Sequence, residues 1–341
     1  MNTLTERRRS IVKASVPAQA SPESATTRSH PKRNSPQPGR KRNQWRRRIM
    51  HNWELYLFIA PCLLYFFVFH YLPMYGIQIA FKNFLPTKGI TGSEWIGFDH
   101  FERFFNSYYF WDLLWNTFSI SLYELAVGFP LPIILALAFN EVKDGLFKRG
   151  VQTVTYAPHF ISLVVMAGMI ITFLSPSSGI LIRMLEGIGI DTPAFLEDPR
   201  WFKTVYVVSG VWQSTGWGTI IYLAALAGVD PQLHEAAIVD GASRLRRVLH
   251  INLPTIVPTI SILLILNVGN MLSVGYEKIL LLQNSLNMES SDVIATFVYR
   301  TGLVNNQLSF STAVGLFNSV INAILLVTLN RIAKRTGNSL W

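Results

Sequence analysis

Cysteine is almost missing: Cys62 stands alone in 341 residues. That excludes a disulfide framework and a cysteine-rich metal domain. Charge is sparse as well. Asp, Glu, Lys and Arg supply 15% of the chain, against about a quarter in soluble domains. There is no G-x-x-x-x-G-K-[ST] run to cradle nucleotide phosphates, no H-E-x-x-H pair to hold zinc and no G-x-S-x-G elbow. Nor is there a carboxylate pair with an evident catalytic role. What the chain has in quantity is apolar: it is half hydrophobic and 13% aromatic, with a mean hydropathy of +0.29.

The formal net charge of +10 is unevenly placed. Residues 1–53 hold 13 Lys/Arg and two Asp/Glu, whereas the rest holds 17 and 18. The basic character therefore belongs to a tail, and a nucleic-acid-binding body is not expected. A body that exposes apolar surface to membrane lipid is expected instead. Residues 1–48 are rich in Ser, Pro, Arg, Asn and Gln, a composition that predicts a disordered tail. Trp45-Arg46-Arg47-Arg48 reads as a basic flank that sets topology, or as a lipid-headgroup or regulatory contact.

Six segments, near 55–81, 113–139, 151–174, 202–229, 255–282 and 310–331, are long and apolar enough to cross a bilayer. They predict an all-α polytopic domain over 49–335, followed by a short tail at 336–341. The first run is too long for a signal-peptide core and lacks a small-residue cleavage site, so it reads as an uncleaved anchor. With six crossings both termini share one side. That side also holds Lys143, Lys148, Arg149, Arg244, Arg246, Arg247, Arg331, Lys334 and Arg335. The other holds Lys82, Lys88, Arg103, Arg183, Arg200, Lys203, Lys278 and Arg300. The loops alone are nearly balanced, so Arg46, Arg47 and Arg48 decide, and both termini are expected to be cytoplasmic. The outer loops carry Trp95, Tyr108, Tyr109, Trp111 and Trp201 as interfacial anchors or as a lip that meets an outside partner.

The loop at 230–254 has readable chemistry. Asp230 suits an N-cap and Pro231 the first helical position. Leu233, Ala236 and Ala237 give a small apolar face, and Gly241 can end the helix. Ser243 can start a second helix, with Leu245, Val248 and Leu249 on its apolar face. Pro254 then marks re-entry into the membrane. Two short helices lying across the cytoplasmic face are expected. They either only seal the bundle or present small residues to a partner.

Glu235-Ala236-Ala237, Asp240-Gly241-Ala242 and Ile251-Asn252-Leu253-Pro254 resemble the EAA loop of permease subunits of binding-protein-dependent, type I ABC importers. The stretches Pro73-Met74-Tyr75-Gly76, Ser291-Asp292-Val293-Ile294 and Phe310-Ser311-Thr312-Ala313-Val314-Gly315-Leu316, with the terminal Ser339-Leu340-Trp341, are similar to its carbohydrate branch. That branch includes the alginate, pectin-fragment and maltose importers, and only the basic N-terminal tail lies outside the resemblance. The resemblance implies a bacterial inner-membrane transport subunit rather than an enzyme. It implies a second permease subunit, two copies of an ABC ATPase, an extracytoplasmic solute-binding protein and an oligosaccharide substrate, acidic ones included. ATP and Mg²⁺ would sit on the ATPase, with no cofactor on this chain. Glu235, Ala236, Ala237, Asp240 and Gly241 would form the coupling helix that enters a cleft of the ATPase. Glu235 lies in its first turn, where the helix dipole favours a carboxylate.

A sugar pathway calls for amides and hydroxyls beside aromatic rings, facing a wet cavity. The fourth crossing offers Trp212, Gln213, Ser214, Trp217 and Tyr222; the fifth offers Asn267, Asn270, Ser273 and Tyr276; the sixth offers Asn318 and Asn322. In the related maltose permease, sugar contacts fall on the helices flanking the EAA loop. That selects Gln213, Trp217, Asn267 and Asn270 first. Interhelical hydrogen bonding is the competing role for each. Glu124 is an intramembrane acid with either a functional or a structural role, and His159 reads as structural. Lys278 and Arg300 could attract a carboxylated sugar. A secondary active transporter would show more intramembrane ionisable groups. An integral-membrane glycan or lipid enzyme would show acids or histidines clustered at one face. Neither pattern is present.

Overall fold

The computed structural model describes residues 51–334. The basic tail at 1–48, its arginine flank and the tail at 336–341 lie outside the described residues. The chain divides into two compact units between Phe66 and Phe67. The first contains helix α1 (Trp53–Phe66), which buries none of its side chains. A helix apolar all round and unburied suits lipid.

The second unit is almost wholly helical. A π-turn at Phe67–Tyr71 and a 3₁₀ stretch at Tyr75–Phe81 lead into a two-stranded antiparallel hairpin, β1 (Lys82–Asn83) and β2 (Glu94–Trp95), with Lys82 opposite Trp95. Trp95 stacks on Phe81 at 5.7 Å, so this expected anchor is partly spent on the hairpin. There follow α2 (Asp99–Phe105), α3 (Phe110–Gly128), α4 (Pro130–Glu141), α5 (Leu146–Tyr156), α6 (Leu163–Phe173), α7 (Ile180–Gly187) and α8 (Pro199–Leu226). Next come α9 (Pro231–Val239), α10 (Arg244–Arg247), α11 (Leu253–Gly269), α12 (Tyr276–Leu282), α13 (Ile294–Tyr299) and α14 (Leu308–Lys334). Several starts have local causes. Ser162, Asp198, Asp230 and Ser243 each cap a helix by accepting a backbone N–H. Hydrogen bonds from Arg200 hold the Asp198 carboxyl below its ordinary range, which keeps that cap an acceptor.

Among the described residues, four helical stretches are long and apolar enough to cross a bilayer: Trp53–Phe81, Phe110–Glu141, Arg244–Gly269 and Leu308–Lys334. A fifth forms if Leu146–Phe160 and Leu163–Phe173 count as one crossing, but that pair is bent by 100°. The expected straight third crossing is thus corrected. Pro158 ends the regular ladder in a 3₁₀ turn, Ile161 is extended, and Ser162 restarts the helix. The expected fourth crossing corresponds to α8, whose 28 residues reach about 42 Å at 1.5 Å per residue. It is too rich in Ser, Thr, Gly and Trp to stand among the apolar stretches. The expected fifth crossing is also corrected: its helix stops at Gly269, and 270–275 is a turn before α12. Among the described residues the six expected segments thus correspond to four crossing-length apolar stretches, one bent pair and the less apolar α8.

Helix α8 is the hub, packed against α3, α4, α5 and α11. Ile120, Phe202, Tyr206, Val207 and Ile279 form one buried core, and Phe104, Leu113, Phe297 and Phe310 another. Between helices in lipid, close packing and hydrogen bonds replace the hydrophobic drive. Glycines supply the closeness. A Cβ on Gly216 would lie 2.0 Å from the carbonyl oxygen of Thr155, and one on Gly269 2.5 Å from Leu326. Asn287 supplies hydrogen bonding. Its buried amide donates to the carbonyls of Leu196 and Leu282 and ties the 283–291 segment to the start of α8.

Candidate functional site

Two places carry the chemistry: a cavity against α8 and the exposed helix α9. The cavity holds about 520 Å³. Its walls come from α3, α4, α8, α11 and the turn at 270–275. Val211, Ser214, Gly218, Ile221 and Tyr222 are the contribution of α8 beyond Tyr206, at the three- and four-residue spacing of one helical stripe. Asn267 and Asn270 both line the wall. Asn267 donates to the carbonyl of Leu263 one turn back at 2.8 Å, and Asn270 is the residue that ends α11. Ser273 and Tyr222 line it as well, and so does Glu124.

Other residues singled out from the sequence hold the cavity's framework instead. Gln213 donates through Nε2 to the Ile161 carbonyl at 2.9 Å, inside the bend between α5 and α6. Trp217 stacks on His159 at 4.6 Å, nearly parallel. Asn322 accepts from the backbone N–H of Leu272 at 3.0 Å and donates to Ser273 Oγ at 3.1 Å. Asn318 donates to the Leu272 carbonyl at 3.2 Å. These two amides thus satisfy the backbone of the broken fifth crossing, as irregular backbone at such depth requires. Tyr276 stacks on Tyr299 at 5.7 Å and does not line the wall. Arg300 pairs with Asp292, and Lys278 is buried against Tyr206. Arg300 thus has an anionic partner, whereas Lys278 makes no ion pair among the described residues. Sequence reasoning does not single out Ser121, Tyr206 or Met271, which also line the cavity. Nothing local distinguishes them from other span residues.

Helix α9 is built by its ends. Asp230 Oδ1 accepts from the Gln232 N–H at 2.9 Å, and Pro231 fills the first position. At the other end Ala242 N–H donates to the Ala237 carbonyl, and Gly241 N–H to that of Ile238, with Gly241 at φ +72°. This pair of bonds is the Schellman motif, which needs a left-handed residue at that place. Nothing of α9 is buried. Glu235, Ala236, Asp240 and Gly241 are exposed and Ala237 is half-buried. Leu233, Ile238 and Val239 are exposed alongside them.

The second short helix expected in this loop is not separate. From α10 the chain runs through a π-turn at Val248–Asn252 directly into α11. The π-turn absorbs the missing N–H of Pro254. Asn252 in that turn is fully buried and donates to Glu141 Oε1 at 3.3 Å, which fastens the turn to the end of α4. Replacing Asn252 by Ala should lower stability by about 1–3 kcal/mol, the cost of losing a buried bond to a charged group. Thermal unfolding of the solubilised protein checks this, and an unchanged midpoint would show that the bond contributes nothing.

Apolar crossing-length helices, a cavity among them and an exposed capped helix are the features of a membrane transport subunit. The family described as binding-protein-dependent transport system inner membrane component matches residues 128–338, and the chain belongs to it. The chain is 44% identical over 291 residues to protein LplB of Bacillus subtilis (strain 168), covering 85% of this chain and 92% of that protein. It is 45% identical over 283 residues to the polygalacturonan/rhamnogalacturonan transport system permease protein YteP of the same organism, covering 83% and 88%. Among solved structures it is similar to a chain of a bacterial ABC transporter involved in import of the acidic polysaccharide alginate. That likeness has a TM-score of 0.80 and 42% identity, and it covers 86% of this chain and 99% of the other. A second structure of a bacterial alginate transporter, in complex with an alginate pentasaccharide-bound periplasmic protein, also matches with a TM-score of 0.80. The resemblance read from the EAA loop holds at the level of the family and of its carbohydrate-importing branch.

Proposed function

We propose that this chain is one of two membrane subunits of an ATP-driven importer of acidic oligosaccharides, alginate or pectin fragments being the model substrates. The observation that carries this reading is the pairing of two high-identity relatives named for acidic polysaccharides with an α9 that exposes an apolar strip. Both termini and α9 face the cytoplasm. Glu235, Ala236, Ala237, Asp240 and Gly241 enter the cleft of an ABC ATPase, which exists in two copies and carries the ATP and Mg²⁺. An extracytoplasmic binding protein delivers the sugar to the other side. Asn267 and Asn270 contact the sugar in the cavity. Gln213, Trp217, Tyr276, Asn318 and Asn322 belong to the same pathway through the bend, the turn and the ring stack they hold. Closure of the ATPase pair moves α9 and switches the crossings between inward- and outward-open states.

Uptake of radiolabelled oligosaccharides in a strain lacking this gene tests the reading. Uronate-containing sugars should enter only when the gene is restored, and entry should persist when ion gradients are collapsed. Uptake driven by an ion gradient without an ATPase subunit would overturn the importer reading, and exclusive uptake of neutral sugars would overturn the acidic one.

A further inference from the structure

One charged pair at the cavity is used by nothing described so far. Glu124, on α3, is exposed to the cavity and lines its wall. Among the described residues no hydrogen bond reaches its carboxylate. Lys278, on α12, is buried, and its Nζ donates to the Tyr206 carbonyl at 2.6 Å while lying 4.4 Å above the Tyr206 ring. The two charges meet across Gly210 of α8. A Cβ there would sit 3.0 Å from Lys278 Nζ and 3.9 Å from Glu124 Oε1. No direct ion pair forms, so the carboxylate keeps its acceptor positions for the cavity.

A carboxylate within a membrane domain needs a compensating charge, and here Lys278 supplies it from behind the wall. Two carboxylate oxygens suit adjacent sugar hydroxyls, which donate to them. We propose that Glu124 and Lys278 form one charge-compensated contact point for the sugar: Glu124 accepts from its hydroxyls, and Lys278 keeps the wall neutral towards a passing uronate. Lys278 acts through Glu124 and is a positioning residue. The proposal rests on the reading that the cavity is the sugar's path.

The test compares uptake of a galacturonic acid oligosaccharide with that of its methyl ester, which differs in charge. The complete importer is used, normalised to membrane content. The binding protein is unchanged, so its own preference cancels when each ratio is referred to the wild type. Lys278→Met leaves the carboxylate uncompensated and should lower the acid-to-ester ratio about tenfold. Glu124→Gln leaves the ammonium and should raise it at least about tenfold, the effect of one unit charge roughly 12 Å away at an effective dielectric constant near 20. The double variant restores neutrality and should return the ratio to within about twofold of wild type. A pair that serves only folding would lower both uptakes together. Ratios unmoved, or moved in the same direction by both single variants, would overturn the proposal. Should Lys278→Met fail to reach the membrane, Glu124→Gln must still raise the ratio by itself, and an unmoved ratio there overturns the proposal. A wild type that prefers the ester would overturn the acidic-substrate reading, and the opposite movement of the two variants would still decide the role of the pair.

Discussion

Sugar uptake is expected to fall at least about tenfold when Gly241 is replaced by Asp or Glu235 by Lys, while the protein still reaches the membrane at normal levels. The structure separates the two outcomes. A Cβ on Gly241 meets nothing within 4 Å, although its φ of +72° strains any L side chain. Asp tolerates the left-handed region at about 1–2 kcal/mol, a cost a multi-helix fold can absorb. Its carboxylate would then project from the tip of α9 into whatever docks there. Glu235 is exposed and has no hydrogen bond from the chain among the described residues, so reversing its charge removes no internal contact. Both changes therefore act at the partner surface. A tenfold loss corresponds to ~1.4 kcal/mol of docking free energy. Immunoblots of membranes, uptake and ATPase activity of the purified complex provide the check. Normal uptake by both variants would remove α9 from the coupling mechanism.

The second large effect concerns Gly216. Helix propensity alone says that Gly→Ala in mid-helix stabilises by roughly 0.5–1 kcal/mol. Here the new methyl would lie 2.0 Å from the Thr155 oxygen and 2.5 Å from its carbonyl carbon. Both are backbone atoms at the end of α5 and cannot swing aside. Overpacking of that kind costs typically 1–3 kcal/mol and sometimes more, so the clash wins. Gly216→Ala should lower the unfolding midpoint of the solubilised protein by several degrees, and Gly216→Leu should leave little folded protein in the membrane. Gly168→Ala is the control. It sits in α6 with nothing within 4 Å and should be neutral or slightly stabilising. Equal behaviour of the two alanine variants would refute the close α8–α5 contact.

The contrast between these two glycines marks how far the sequence is legible. Gly241 is readable because its reason is local: a capped helix of set length, then a residue that must turn left-handed. Asp230, Pro231 and the EAA spacing belong to the same local code, and the apolar runs announce most of the helices. Gly216 is not readable, because its reason is a carbonyl 61 positions away in sequence. The same holds for the amides. Asn267, Gln213 and Asn322 look alike as polar residues in apolar segments. One faces the cavity, one closes the bend at 161, and one holds the turn at 272. Period tells which residues share a stripe but not what the stripe meets. The bend and the turn escape for a related reason. Pro158 signals an interruption, but its angle depends on what Gln213 and Trp217 grip. The stop after Gly269 has no breaker as strong as proline and depends on partners in α14.

Those partners have a mechanical consequence. Gln213 and the bare Gly216 contact lock the kinked third crossing to the fourth, whereas Asn318 and Asn322 lock the unwound segment of the fifth to the sixth. The chamber's α8 wall and its 270–275 wall are thus each fastened to a neighbouring crossing, while α3 and α4 complete the enclosure. The spacings Gln213–Ile161 and Asn322–Leu272 should therefore be preserved whenever the chamber changes width.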